Sequence, residues 1–180
     1  MFDRMFRAAK RFAWLEMLRA STWTGFFYVA FIIVFFSRRI VGWRVSRVAH
    51  KGFVCNALKQ ALHDRRHLHH GGLVHHSDRG SQYVSIKCTE RLLEAGIESS
   101  VGSVGACGNN ALAAIINGLY KTEVIHCRGP WRSLESVEFV ALEWVDCFNN
   151  RYLLAEIGYI PPAEAEERYY ASLDQPAMAA

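Results

Sequence analysis

Apolar and polar positions along this chain follow two different periods, and the change of period marks its elements. Phe26 to Phe36 is almost wholly apolar and rich in aromatic and β-branched residues. With Trp23 and its neighbours the run is about 14 residues long, short of the ~20 that a membrane-spanning helix needs. The polar Ser37-Arg38-Arg39 interrupts it, and a second apolar run, Ile40 to Val48, follows at once. Two such runs across a short basic turn predict an antiparallel pair of buried strands. From Lys51 to His63 the period becomes helical, with Val54, Ala57, Leu58, Ala61 and Leu62 on one stripe. Leu73 to Ser77 reads as a buried strand that ends on Asp78 in a Gly-containing turn. Ser85 to Ala95 reads as an amphipathic helix stopped by Gly96, Ile97 to Val101 as a short strand, and Gly102 to Gly108 as a Gly-rich loop.

Asn109 and Asn110 are good N-cap types and predict a helix from Asn110 to Ile125. Leu112, Ile116 and Leu119 or Tyr120 form its core-facing side. At ~100° per residue, Asn117 falls about 60° and Lys121 about 20° from position 114, so these three share one face. Ser133 to Asn150 is the clearest amphipathic helix: Leu134, Val137, Val140, Ala141, Trp144, Val145 and Phe148 recur at helical spacing. Ser133 is its expected cap, and Glu135 favours its positive end. Pro161-Pro162 starts a short acidic helix through Tyr170, and Gln175 to Ala180 reads as a frayed end. Strands alternating with helices predict a mixed α/β sheet covered by helices.

Composition adds bounds. A chain of 180 residues suggests one domain with a real core. Five cysteines without a CxxC pair fit reduced thiols in a cytoplasmic protein better than a disulfide framework. Met1 to Ala13 is basic but precedes no long apolar core, which argues against a secretory signal. The net charge of +4 hides a gradient of +9 over residues 1–60, +1 over 61–128 and −6 over 129–180. A basic front half suits a phosphate backbone. The histidines at 63, 67, 69, 70, 75 and 76 have spacings that zinc sites use, but no cysteine pair or carboxylate accompanies them. A solvated turn is the better reading.

The stretch from His75 to Lys121 resembles the catalytic core of bacterial insertion-sequence transposases of the orfB type, in the retroviral-integrase superfamily. That family uses three carboxylates, Asp, Asp and Glu. Asp78 stands in His76-Ser77-Asp78-Arg79-Gly80-Ser81-Gln82-Tyr83, which matches the motif of the second Asp. The family's Glu follows after 35 residues in a motif like Asp-Asn-Ala-Leu-Ala-Glu. Here 35 residues separate Asp78 from position 114, in Asn109-Asn110-Ala111-Leu112-Ala113-Ala114, and that residue is alanine. The first Asp belongs to a segment just before Trp23-Thr24-Gly25-Phe26. Counted back without a gap its place is held by Glu16, and counted from Trp14 by Met17. Glu16 is then either a replacement ligand or an ordinary surface acid. Val34 replaces a structural Asp of the family, and Ala106 and Gly108 replace polar and aromatic residues.

The resemblance implies a ribonuclease-H-like fold, a mixed five-stranded sheet flanked by helices. It divides the chain into an atypical N-terminal segment (1–22), an integrase-core-like domain (23–160) and a C-terminal helix and tail (161–180). It implies Mg²⁺ or Mn²⁺ at Asp78, and DNA contacts from Arg79, Asn110, Asn117 and Lys121. Its partners would be DNA, further copies of the chain and a separate helix-turn-helix subunit, in the bacterial cytoplasm and away from membranes. The function it implies is metal-dependent cleavage and strand transfer in DNA transposition, impaired here by Ala114 and the missing first Asp. The alternative is a non-catalytic DNA-binding or dominant-negative relative.

Overall fold

The computed structural model describes residues 11–22, 25–48, 51–64, 74–77, 98–101, 107–129 and 131–174. Its sheet has five strands: β1 (Arg11–Thr22), β2 (Gly25–Ile33), β3 (Ile40–Ser46), β4 (Val74–Ser77) and β5 (Glu98–Val101). Their order is β3-β2-β1-β4-β5. β1 and β2 pair antiparallel, as do β2 and β3, while β1–β4 and β4–β5 are parallel. This is the expected mixed sheet. One assignment changes: Arg11–Thr22, read from sequence as part of an atypical N-terminal segment, is the central strand. A strand with neighbours on both sides and helices on both faces need not alternate cleanly, which hid it.

Helix α1 (Lys51–Asp64) covers one face of the sheet, and α2 (Cys107–Tyr120) and α3 (Leu134–Arg151) cover the other. The apolar run of β2 is continuous because it serves both. Phe27, Val29, Phe31 and Ile33 join the larger core with Leu112, Ile116, Tyr120, Trp144 and Phe148. Ile32 pairs with Gly42 on the opposite face. There a Cβ at Gly42 would collide with the backbone oxygen of Ala57 in α1, so glycine is what lets helix and sheet approach this closely.

Ile33 pairs with Ile40 but Ile32 pairs with Gly42, which leaves Val41 as the extra residue of a bulge. The backbone of Ile40 finds its partner in α3 instead. Its N–H donates to Asn149 Oδ1 (2.9 Å), and its carbonyl accepts from Asn149 Nδ2 (2.8 Å). One buried amide thus completes the sheet where the bulge interrupts it. The β2–β3 turn is held from outside by α4 (Pro162–Asp174). Arg39 Nη1 reaches the buried Glu166 Oε2 at 2.7 Å, and the Phe36 ring meets Tyr169 at 4.3 Å between centroids.

Helix α3 starts as expected: the Ser133 hydroxyl accepts from the Ser136 N–H at 3.2 Å. The Glu135 carboxyl is held below its ordinary pKa, first by its own backbone N–H and then by the Ser133 hydroxyl. Helix α2 begins at Cys107, before the two asparagines expected to cap it. The cysteines depart from expectation too. Cys127 and Cys147 are free, but Cys55 in α1 is disulfide-bonded. An odd cysteine count without a CxxC pair says nothing about which thiols meet in space. No helix among the described residues is long and apolar enough to cross a membrane, and Phe26 to Phe36 forms strand and turn. The helix expected over Ser85 to Ala95 lies outside the described residues.

Two substitutions test this packing. Gly42→Ala should destabilise the fold by about 1–3 kcal/mol through overpacking against Ala57. Asn149→Ala should cost about 2–4 kcal/mol by orphaning both polar groups of Ile40. Both are measured as shifts in the urea midpoint at unchanged slope.

Candidate functional site

The site is framed by the middle of β1, the end of β4 and one side of α2. Position 16 pairs with Phe31 across the β1–β2 ladder, and position 17 pairs with Ala30. Cross-strand partners occupy the same face of a sheet. Position 16 therefore lies on the α2/α3 face with Phe31, and Met17 falls on the α1 face. Between the two sequence alternatives, only Glu16 is on the side where α2 packs. His76 of β4 is level with Trp14, so the last residue of β4, Ser77, falls one step further along, level with position 15. Asp78 and Arg79 lie outside the described residues.

Helix α2 packs across β1. Leu112, Ile116 and Tyr120 are buried as the wheel predicts, and Ala114 and Lys121 are exposed. Asn117 departs from the expected polar face: it is only 6% exposed, and its Oδ1 has no hydrogen-bond partner. On the wheel it lies between Tyr120 and position 114, about 60° from each. A buried amide oxygen without a partner costs about 1–3 kcal/mol. Asn110 belongs to the first turn of α2, and its side chain is outside the described set.

After Tyr120 the helix widens into a π-helical stretch, Lys121–His126. Such stretches concentrate at functional sites. This one is anchored through Glu123, which accepts from Trp144 Nε1 at 2.8 Å and also meets the Tyr152 hydroxyl. Burial, and then that carboxylate, push the Tyr152 phenol well above its ordinary range. Tyr120 is fully buried and its phenol is pushed up by burial. Its ring meets Phe31 edge-on at 5.1 Å and Trp144 at 5.0 Å. The sequence pattern missed the Glu123–Trp144 pair within the π-helical stretch, because no residue type signals a π-helix.

A cavity of about 130 Å³ opens beside α2, lined by Arg38, Leu112, Ile116, Leu119, Phe148 and Leu154. Arg38 sits at φ 62° in the β2–β3 turn, its guanidinium 4.8 Å from the Phe35 ring and its Nη1 buried without a partner. Burial lowers its pKa and Glu156 opposes that shift.

The resemblance implies a pair of divalent ions held by carboxylates from both sides of such a cleft. Among the described residues no three His, Cys, Asp or Glu side chains converge. On the α2 side, position 114 offers only an exposed methyl group. Position 114 therefore supplies no oxygen ligand from the α2 side.

A central strand paired antiparallel on one side and parallel on the other, between helical layers, defines a ribonuclease-H-like fold. Residues 14–107, just over half of the chain, match the model of the integrase core domain. The chain belongs to that family. It is 55% identical over 160 residues to the transposase for insertion sequence element IS629 of Shigella sonnei, covering 89% of this chain and 53% of that protein. It is 49% identical over 165 residues to a putative transposase for insertion sequence element IS986/IS6110 of Mycobacterium tuberculosis, covering 90% and 59%. The chain thus spans between half and three fifths of these relatives. Among solved structures, the catalytic core domain of BIV integrase superposes with a TM-score of 0.63 at 14% identity, over 93% of this chain and 99% of that one. A chain of a simian T-cell lymphotropic virus intasome superposes with a TM-score of 0.65 at 14% identity, over 92% and 55%. At these identities the likeness establishes the fold.

Trp144→Phe removes the indole donor to Glu123 and should lower stability by about 1–2 kcal/mol. Amide exchange should quicken over Lys121–His126 more than over α1. Equal quickening in both would show that Glu123 does not anchor the π-helical stretch.

Proposed function

We propose that this chain is a transposase core that binds DNA and does not join DNA ends. One observation carries the reading: α2 presents Ala114 on the face where the family resemblance puts the third carboxylate. The curated relatives are transposases, which supports DNA as the substrate. The basic front half and the exposed Lys121, at the start of the π-helical stretch, suit a phosphate backbone. Lys121, with Arg79 and Asn110, would supply charge and hydrogen bonds to the backbone. Asp78, which follows Ser77 in the sequence, and Glu16 in mid-β1 are the carboxylates left. Glu16 is one methylene longer than the family's Asp, and misplacement of a ligand by about 1 Å can cost ~100-fold.

The intasome neighbour is a multi-subunit assembly. A chain that enters such an assembly without a full ligand set would poison it, so we read this protein as a dominant-negative partner for active copies.

Joining of a labelled DNA end in Mg²⁺ or Mn²⁺ tests the reading, with Asp78→Asn as control. The unmodified chain should give none and Ala114→Glu little or none. Ala114→Glu combined with Glu16→Asp should give weak joining in Mn²⁺. Robust joining by the unmodified chain, lost in Asp78→Asn, overturns the reading.

DNA affinity should fall steeply with salt, and Lys121→Ala should reduce the slope of log affinity against log salt by about 1. An affinity indifferent to salt would remove DNA as the ligand.

A further inference from the structure

We propose that the face of the sheet turned toward α1 carries, at the tip of the β1–β2 hairpin, a second DNA surface that takes an unpaired strand and stacks one of its bases on Phe26. The proposal rests on the proposed function for DNA as the ligand and goes beyond it in place and in strand type. Pairing fixes which residues share this face. Arg19 is opposite Tyr28, Tyr28 is opposite Ser46, and Ala30 is opposite Arg44. Phe26, two residues before Tyr28, and Ile32, two after Ala30, point the same way. Helix α1 covers only part of this face. Along β2, Ile32 and Ala30 are buried, Tyr28 is half-buried and Phe26 is 52% exposed. Along β3, Gly42 meets α1 and Arg44 is exposed. The hairpin therefore carries two aromatic rings and two arginines out from under the helix, on the side of the sheet away from Lys121 and position 114.

The chemistry of this patch suits a phosphate chain with open base faces. The Arg19 guanidinium lies over the Phe26 ring, 3.7 Å from its centroid, so the ring is already one layer of a stack. Its exposure leaves room for a further layer. Gln60 of α1 steers Arg44, its Oε1 accepting from Nη1 at 3.2 Å. Neither arginine meets a carboxylate among the described residues. Strands β1 to β3 and helix α1 hold only two acids, Glu16 and Asp64. Position 16 belongs to the opposite face, and Asp64 sits beside His63 at the end of α1. The charge of both arginines is thus left for phosphates. A duplex offers phosphates but keeps its base faces within its own stack. An unpaired strand offers both, and every base has a face that an aromatic ring takes. Sheets that display aromatic side chains on one face bind unpaired strands in this way.

A labelled oligothymidylate of about 12 nucleotides is the probe, with a duplex of equal length beside it and the full chain as the protein. Phe26→Leu should weaken oligothymidylate binding at least about fivefold, the loss of one stacked base. Duplex binding should stay within about twofold of the parent, which also shows that the variant is folded. Phe26→Tyr keeps the ring and should bind the oligothymidylate as the parent does. Arg19→Gln and Arg44→Gln should each reduce the slope of log affinity against log salt for the oligothymidylate by about 0.7. Equal affinity of the parent and Phe26→Leu for the oligothymidylate, an equal loss on duplex and single strand, or tighter binding of an oligouridylate each overturn the proposal. Those outcomes leave salt-dependent duplex binding and its dependence on Lys121 standing. A duplex affinity indifferent to salt would instead sink the proposed function, without touching the contrast between Phe26→Leu and Phe26→Tyr.

Discussion

Everything at the candidate site depends on how α2 is clamped to the sheet. The clamp is an aromatic cluster in which Phe31 of β2, Tyr120 of α2, and Trp144 and Phe148 of α3 meet ring to ring at 5.0 to 5.7 Å. Such pairs prefer tilted and edge-on geometry, which fixes orientation as well as distance. Phe31 is also the cross-strand partner of position 16. The residue that seats the helix is therefore the one beside the candidate carboxylate, and the distance between sheet and helix cannot drift without disturbing both. Glu123 extends the clamp into the π-helical stretch by drawing Trp144 and Tyr152 onto one carboxylate.

The scaffold around the candidate site is closely packed, and position 114 within it is alanine. The bulge at Val41, the Asn149 amide that completes the sheet, and the Arg39–Glu166 pair have no part in catalysis. They stand beside an α2 whose position 114 is alanine. Stability and chemistry load different residues in such a fold, so a change at an exposed helix position such as 114 leaves this packing untouched.

How legible this was depended on whether a residue's role is local. Helix α3 was legible because its apolar stripe and Ser133 cap are one-dimensional signals. So were β2 and β3, where a basic turn separates two apolar runs. The central place of β1 was not, since cover on both faces erases the alternation that marks a half-exposed strand. The start of α2 was misread because Asn109 and Asn110 resemble caps and Gly108 disfavours helix interiors, and the helix forms there regardless of those local preferences. Among site residues, the choice between Glu16 and Met17 could not be made from spacing. It turns on the pleat, which is a property of the paired sheet. Asn117 looked like a surface contact because a wheel shows direction without showing what stands opposite.

The pleat has one further consequence, at the level of the gene. The β1–β2 hairpin is pinned where Thr22 pairs with Gly25, and position 16 inherits its face by counting back from there. Loss of a single codon between residues 16 and 22 would carry Glu16 to a position opposite Ala30, on the face of α1, whereas loss of two codons would return its side chain to the original face. Upstream the strand is more forgiving. Its pairing with β4 already skips a residue between Phe12 and Trp14, and an irregularity there leaves the β2 register unmoved. The reading of this strand is thus protected on one side of position 16 and brittle on the other, so the harm done by a short in-frame deletion depends on where it falls and on whether its length is odd.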